Sequence, residues 1–516
     1  MSDEGSIRRA GGRNARVAKR LAEVPSQERP VQPGVNGGAY QPLSTEQMTQ
    51  IFDTSLTLLE DLGMGQATPE FIDLVTSAGG SFGDDERLRF PKELVRSAIG
   101  CAAKEFTLHG FSSDRDVNIG GQRVHFSTAG AAVLMLDHDT STFRSSTLRD
   151  LYEIGRVIDR LEHIDIYVRT VVARDLETSR ELDLNTAYAV LSSTTKPIGT
   201  SFFQPEHVHE VAQMFNIALT GNADADEFRR RPFCIANNTF VVPPLRFAEE
   251  SALCMAEQVR VGMPINLLSA GQAGATSPAA LAGSLSQALA ECLAGLTCVN
   301  LLSSGHPCTV GMWPFVSDLR TGAMSGGSGE EALLNAAAAQ LLNWIGLPSG
   351  VAAGMADSKL PDQQAGHEKG TTITLAAQAG ANVVFESAGM LASLLACSLE
   401  TLVIDNDLLG AVARTVRGIE VDSQTLSLQV IQDVVEGAGH FLGHDQTLRL
   451  MQTEYLYPSV SDRSSPEDWA DAGSLDVRQR AHERVNEILS LPGPSHIDPA
   501  ADQLIREMFP IHLDRA

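Results

Sequence analysis

Pro264-Ile265-Asn266-Leu267-Leu268-Ser269 is a short β-prone run that ends on a hydroxyl residue. Residues 279–296 follow with a helical apolar pattern, and Cys308-Thr309-Val310-Gly311-Met312 then repeats the first motif. Strand, helix and strand in this order form a parallel β-α-β unit. The same alternation extends in both directions. Candidate strands are residues 123–128, 164–170, 197–202, 233–237, 264–269, 308–312, 349–354 and 382–386, with helical patterns such as 330–344 between them. Eight strands alternating with helices predict an α/β fold, a (β/α)8 TIM barrel. No GxGxxG opens a helix after the first strand and no GxxxxGK[ST] occurs, which disfavours dinucleotide and P-loop domains.

Around this core the chain divides by composition. Residues 1–40 are rich in Arg, Gly, Pro and Ala without apolar periodicity, and read as a flexible or surface-wrapping arm. Residues 41–115 read as an N-terminal helical segment. There Ser44 is placed as an N-cap with Gln47 completing a capping box. Ile51, Leu56, Leu58 and Leu59 supply an apolar face, and residues 91–103 form a second helix candidate. The barrel is assigned to 116–407, and 408–516 to a C-terminal helical region that includes 423–436 and 477–491.

The 516 residues carry 39 Lys and Arg against 64 Asp and Glu, a net charge of -25. That balance disfavours nucleic-acid binding, which needs cations against phosphate. Seven scattered cysteines, an odd number with no CxxC, read as reduced core residues. No apolar run is read as long enough to span a bilayer, and no apolar stretch follows Arg8-Arg9 to form a secretory signal. A cytoplasmic enzyme without a membrane partner is expected, and self-association through the C-terminal helices is left open.

Barrel chemistry sits at the C-terminal ends of strands. That rule selects Ser127–Thr128, Arg169–Thr170, Phe202–Gln204, Asn237–Thr239, Ser269 to Gln272, Trp313–Phe315, Met355–Asp357 and Glu386. Aromatic residues are only 5% of the chain, yet Phe202, Phe203, Trp313 and Phe315 fall here. Ring faces with few cations suit a positively charged methylated ligand, at about 0.5–2 kcal/mol per ring; packing of the barrel top is the equal alternative for each ring. Residues 354–369 are unusually polar. Pro361-Asp362 fits a helix start, and Gln364, His367 and Glu368 then share one face, directed either into the mouth or to solvent. His367-Glu368 is not HExxH, and His306 with Cys308 lacks further ligands, so no metal site is assigned.

The run Lys359-x-Pro361-Asp362-x-Gln364-Ala365-Gly366-His367-Glu368-Lys369 resembles the trimethylamine:corrinoid methyltransferase family. Further matches are Leu402-Val403-Ile404-Asp405-Asn406-Asp407, Ala388-Gly389-Met390-Leu391, Pro264 to Ser269 and Ser277-Pro278-x-x-Leu281-Ala282-Gly283. Gly120-Gly121 through Val124-His125, followed by Gly130, matches as well. They run in order from about Leu43 to the C-terminal region. The resemblance implies a (β/α)8 barrel that methylates the Co(I) corrinoid of a partner protein. The family's founding enzymes carry pyrrolysine at the end of the seventh strand, and the matching position here is Met355. A thioether offers no electrophile and no titratable group. The resemblance therefore points to family members that demethylate quaternary amines, with glycine betaine as the leading substrate. Other betaines, carnitine-type or trimethylamine-type substrates, and a non-catalytic quaternary-amine binder are the alternatives. A corrinoid-free hydrolase with Asp357 and Glu386 as paired carboxylates is the reading from another class.

On this reading Met355 lines the methyl-transfer position, and Gln364, His367 and Glu368 orient the substrate or hold the strand-seven loop. Phe203, Trp313 and Phe315 face the cationic head, and Glu386 faces the cation or bonds to backbone. Candidate donors to a betaine carboxylate are His367, Gln272, Asn237 and Asn238, with Arg169 and Arg320 within reach. No DxHxxG is present, so the corrinoid is expected on a separate protein.

Overall fold

The computed structural model describes residues 28–514. Eight parallel strands are present: β1 (Arg123–Phe126), β2 (Tyr167–Val168), β3 (Ile198–Thr200), β4 (Cys234–Asn238), β5 (Ile265–Ser269), β6 (Cys308–Met312), β7 (Ser349–Ala352) and β8 (Val383–Phe385). Each is followed by a helix: α1 (Leu148–Asp159), α2 (Ser179–Ser193), α3 (Pro205–Thr220), α4 (Glu249–Val261), α5 (Leu281–Leu302), α6 (Gly329–Ile345), α7 (Gln363–Gln378) and α8 (Leu399–Arg417). Parallel pairing runs β2 to β8 in sequence order, and β8 pairs in turn with β1. All eight strand candidates thus fall on real strands; 308–312 matches at both ends, and the other ends shift by at most three residues.

The ring departs from the expected barrel at one seam. The sheet curls until β1 and β2 approach, but no continuous ladder joins them. The upper seam consists of isolated parallel bridges, Ser127 to Ile166 and, further on, Ala132 to Val171, with Asp165 N donating to Phe126 O at 2.8 Å. The lower seam is occupied instead by a short strand, Val35–Asn36, which pairs antiparallel with Val124 and Arg123 of β1. A buried side chain, Asp165, adds to the seam by accepting from Phe126 N at 2.9 Å. The sheet is therefore a curled one with a wedged edge, not a fully laddered closed barrel. Residues 1–27 of the expected arm lie outside the described residues. From residue 34 on, the segment docks: Gly37 N donates to Gln122 O and Gly38 N to Gln378 O, both at 2.8 Å.

α5 is the core helix. It is long and apolar enough to cross a membrane, which amends the reading that no run reaches that length. Most of it is buried inside the fold, where each fully covered Leu or Val contributes about 1.5–3 kcal/mol. Helices Thr45–Thr57 and Lys92–Cys101 pack on its outer side. The first starts at Ser44 with the expected capping box, Gln47 N to Ser44 Oγ at 3.2 Å and Ser44 N to Gln47 Oε1 at 2.8 Å. Helix Val477–Ser490 packs on α8 and α1. The helix expected over 423–436 begins only at Leu428. Asp422 caps Gln424 and Thr425 in a turn, and Ser427 adopts a left-handed φ of 57°, so the helix cannot start earlier. All seven cysteines are free thiols, six of them buried.

Candidate active site

A cavity of about 590 Å³ opens at the C-terminal ends of the strands. Its wall includes Gly130 and Ala131 after β1, Arg169 after β2, Phe202 and Phe203 after β3, Asn237 to Thr239 at β4, Trp313 and Phe315 after β6, and Glu386 after β8. A left-handed φ of 60° at Glu386 ends β8 abruptly and turns this residue out of the strand. The neighbouring turn after β7 needs glycine. Gly354 has a φ of 108°, and a Cβ there would meet Ser387 Cα at 2.7 Å.

Glu386 is fully buried, and neither of its oxygens has a hydrogen-bond partner among the described residues. Burial pushes its carboxyl up to about 8, against the pull of Arg169 and Lys369. Arg169 is anchored without being neutralised. Its Nε donates to Ser201 Oγ at 2.7 Å and its Nη1 to Gly130 O at 3.1 Å, and it forms no ion pair with Glu386. The cavity thus holds one buried acid and one guanidinium that do not satisfy each other; its second acid, Glu250, is exposed. Above them Trp313 contacts Phe385 (5.6 Å between centroids) and Phe315 (6.2 Å), and its buried Nε1 is unpartnered. Phe203 stands at the rim, half exposed, with its N–H held by Asp183 Oδ2 at 2.9 Å.

The structure brings together Phe203, Asn237, Trp313, Phe315 and Glu386 of the residues singled out in the sequence. Asn237 is held by Asn266, whose Nδ2 donates to its Oδ1 at 3.0 Å. Gln272 does not line the cavity; its Oε1 accepts from Ser317 Oγ at 3.1 Å and so braces the strand Phe315–Ser317. Met355 is fully buried beneath the backbone of Gly326, where an added Cβ would lie 2.7 Å from the Met355 Cβ. Glu368 accepts from Asp357 N and Gln364 Nε2, each at 2.8 Å, which pins the loop after β7. His367 is exposed on the outer side of α7, with Nδ1 3.2 Å from Gln363 O. Arg320 is exposed and closed onto Asp318 at 2.7 Å.

Arg169, selected in the sequence as a strand-end residue within reach of a carboxylate, lines this cavity. One group escaped the sequence reading. Glu331, in the first turn of α6, has both oxygens buried and unpartnered. Burial, with Asp357 and Glu386 nearby, pushes its carboxyl well above the usual range. Its position three residues after the N-cap Ser328 is that of a capping-box acid. Ser328 Oγ does accept from Glu331 N at 3.2 Å, but the carboxylate turns inward and does not return to the cap. A second cavity of about 910 Å³ lies between α7, α8 and the C-terminal region. Its arginines are occupied: Arg463, Arg478 and Arg480 all donate to backbone carbonyls.

The family model described as trimethylamine methyltransferase (MTTB) matches residues 9–510. Trimethylamine methyltransferase MttB of Desulfitobacterium hafniense is 32% identical over 456 residues, covering 88% of this chain and 90% of that one. Glycine betaine methyltransferase of Desulfitobacterium hafniense strain Y51 is 29% identical over 463 residues, covering 90% and 95%. The crystal structure of the Methanosarcina barkeri monomethylamine methyltransferase (MtmB) is similar over 90% of each chain, at 13% identity and a TM-score of 0.48. A match along almost the whole length, on both the family model and its individual members, makes this chain a member of the trimethylamine methyltransferase (MTTB) family.

Proposed function

We propose that this chain demethylates a small zwitterionic quaternary amine, glycine betaine first among them, and passes the methyl group to the corrinoid of a separate protein. The observation that carries the reading is the pair Glu386 and Arg169. Both sit in one aromatic-lined cavity, unmatched to each other. A buried carboxylate without a partner is costly, and a permanent cation removes that cost. The Trp313 and Phe315 rings add about 0.5–2 kcal/mol each if they face the ammonium. Arg169 Nη2, which bonds to no other described residue, supplies a donor for the substrate carboxylate.

The chemistry asks little of the protein. The methyl carbon leaves nitrogen, the C–N electron pair stays on nitrogen, and a neutral tertiary amine departs, so no proton is needed there. Cobalt of the partner's corrinoid is the acceptor and supplies the nucleophilic electron pair. A cavity of 590 Å³ fits a small amine and not a corrinoid ring system, which agrees with a co-substrate brought by another protein. The chain's own tasks are orientation and exclusion of water. Met355, with Glu368 and Gln364 behind it, serves this reading as packing for the loop after β7.

The test is a turnover assay with purified chain, Co(I) cobalamin, a reductant and glycine betaine, following formation of methyl-Co(III) in the visible spectrum. Methylation with glycine betaine and none with trimethylamine supports the reading. Methylation with trimethylamine alone overturns the substrate class. Tight glycine betaine binding with no methyl transfer to free cobalamin or to a corrinoid protein favours a non-catalytic binder.

A further inference from the structure

We infer that His138, Glu400 and His482 form a binding site for one zinc-type divalent ion, clamping helix Val477–Ser490 to the loop that follows β1. The three side chains come from separate elements. His138 lies in the turn between the strands Leu134–Leu136 and Phe143–Ser145, Glu400 in the first turn of α8, and His482 in helix Val477–Ser490. One ligand atom from each lies within 4.8 Å of the others. His482 Nδ1 is 2.9 Å and His138 Nδ1 3.6 Å from the same oxygen, Glu400 Oε1. Ligands at about 2.0–2.1 Å in a tetrahedron stand roughly 3.4 Å apart, so these separations bracket an edge.

The hydrogen bonding is incomplete in the way an ion would complete it. His138 Nδ1 is buried and has no hydrogen-bond partner among the described residues. Glu400 is buried, and its second oxygen is fixed by Ser398 Oγ at 2.9 Å, the kind of outer support that orients a ligating carboxylate. Arg478, on the same helix as His482, donates to His138 O at 2.9 Å and to Ser141 Oγ at 3.0 Å, so the hairpin turn is already docked. The two imidazoles are stacked, 3.7 Å between centroids and 10° between planes, with both Nδ1 atoms directed at the carboxylate. Coordination requires the rings to tilt out of this stack so that the ion enters each ring plane. Their partial exposure, 19% and 30%, leaves room for that motion and for a water as fourth ligand.

Two imidazole nitrogens and one carboxylate oxygen select zinc, cobalt or nickel over calcium and magnesium, which prefer all-oxygen shells. The role is structural. The hairpin runs on from Gly130 and Ala131 of the cavity wall, so the clamp ties the C-terminal region to the rim without touching the substrate. This inference does not depend on the substrate assignment above.

The experiment uses the untagged full chain, stripped with a chelator and dialysed metal-free, then titrated with zinc and with cobalt ions. The expected result is one ion per chain at about 1 µM or tighter, a higher unfolding temperature, and visible cobalt bands of a four-coordinate site. H138N, in a partly exposed turn, and H482A each weaken binding at least about tenfold and remove the thermal shift. H209A, at an exposed histidine of α3, changes neither. Failure of the wild type to bind one equivalent overturns the inference, as does unchanged affinity in H138N when that variant is folded.

Discussion

Residues 354–369 and the cavity wall occupy the same end of the sheet, yet their polar groups are arranged in opposite ways. In the segment every charged side chain has a hydrogen-bond partner. Asp357 accepts from Ser325 Oγ at 2.6 Å and Gly326 N at 2.7 Å, and it also binds Ser393. Lys369 is buried against Asp405 at 2.9 Å and Gly354 O at 2.7 Å. In the cavity Glu386 is unmatched and Arg169 keeps a free nitrogen. The residues that mark the family most specifically in sequence are ties between loops, whereas the groups left open for a ligand carry no motif of their own.

The largest effect should come from breaking a tie. Lys369→Met leaves Asp405 buried without its cation, at a cost of about 3–5 kcal/mol. The denaturation midpoint should fall by several degrees; an unchanged midpoint would remove Lys369 from the scaffold. Glu386→Gln should do the reverse. Glycine betaine affinity should drop about tenfold to a hundredfold, or ~1.4–2.8 kcal/mol, with the midpoint little changed. Equal affinity in calorimetry would show that the carboxylate is not the cation's partner.

The raised pKa of Glu386 fixes the sign of a pH effect. Its folded value of about 8 lies above the ordinary 4.5, so the empty protein loses stability from this group as pH rises through that window. A permanent cation favours the carboxylate, so its affinity should climb by up to tenfold per pH unit across the same range and level off above about 8. Glu386→Gln should flatten both curves. Trp313→Leu should weaken binding by about 0.5–2 kcal/mol if the ring faces the ammonium. His367→Ala, on the exposed side of α7, should alter stability and binding by less than about 0.5 kcal/mol. A larger loss there would return the motif face to the site.

The strands were legible because each is a short β-prone run closed by small polar residues, a local signal. The seam was not, because Val35–Asn36 finds its place only through β1, far along the chain. Within the site, the strand-end rule located Trp313, Phe315 and Glu386 from their position alone. It located Arg169 too and passed over Arg320, which is closed onto Asp318 in a local turn. Glu331 was hidden because spacing from Ser328 gives a sufficient surface explanation for an acid. Polar density drew the reading toward residues 354–369, and polarity by itself does not separate a bonded group from a waiting one.

The wedge Val35–Asn36 also constrains how the chain acquires its fold. It pairs with Val124 and Arg123 of β1, and Gly38 just after it donates to Gln378 O at the end of α7, so it seats on elements made much later in the chain. Contacts of such long sequence separation form slowly, because a large loop must close before they are rewarded. Until then the edge of β1 at the lower seam stays open, and unpaired edges are where chains aggregate. The rate at which this short strand docks should therefore set both the last folding phase and the yield of refolding.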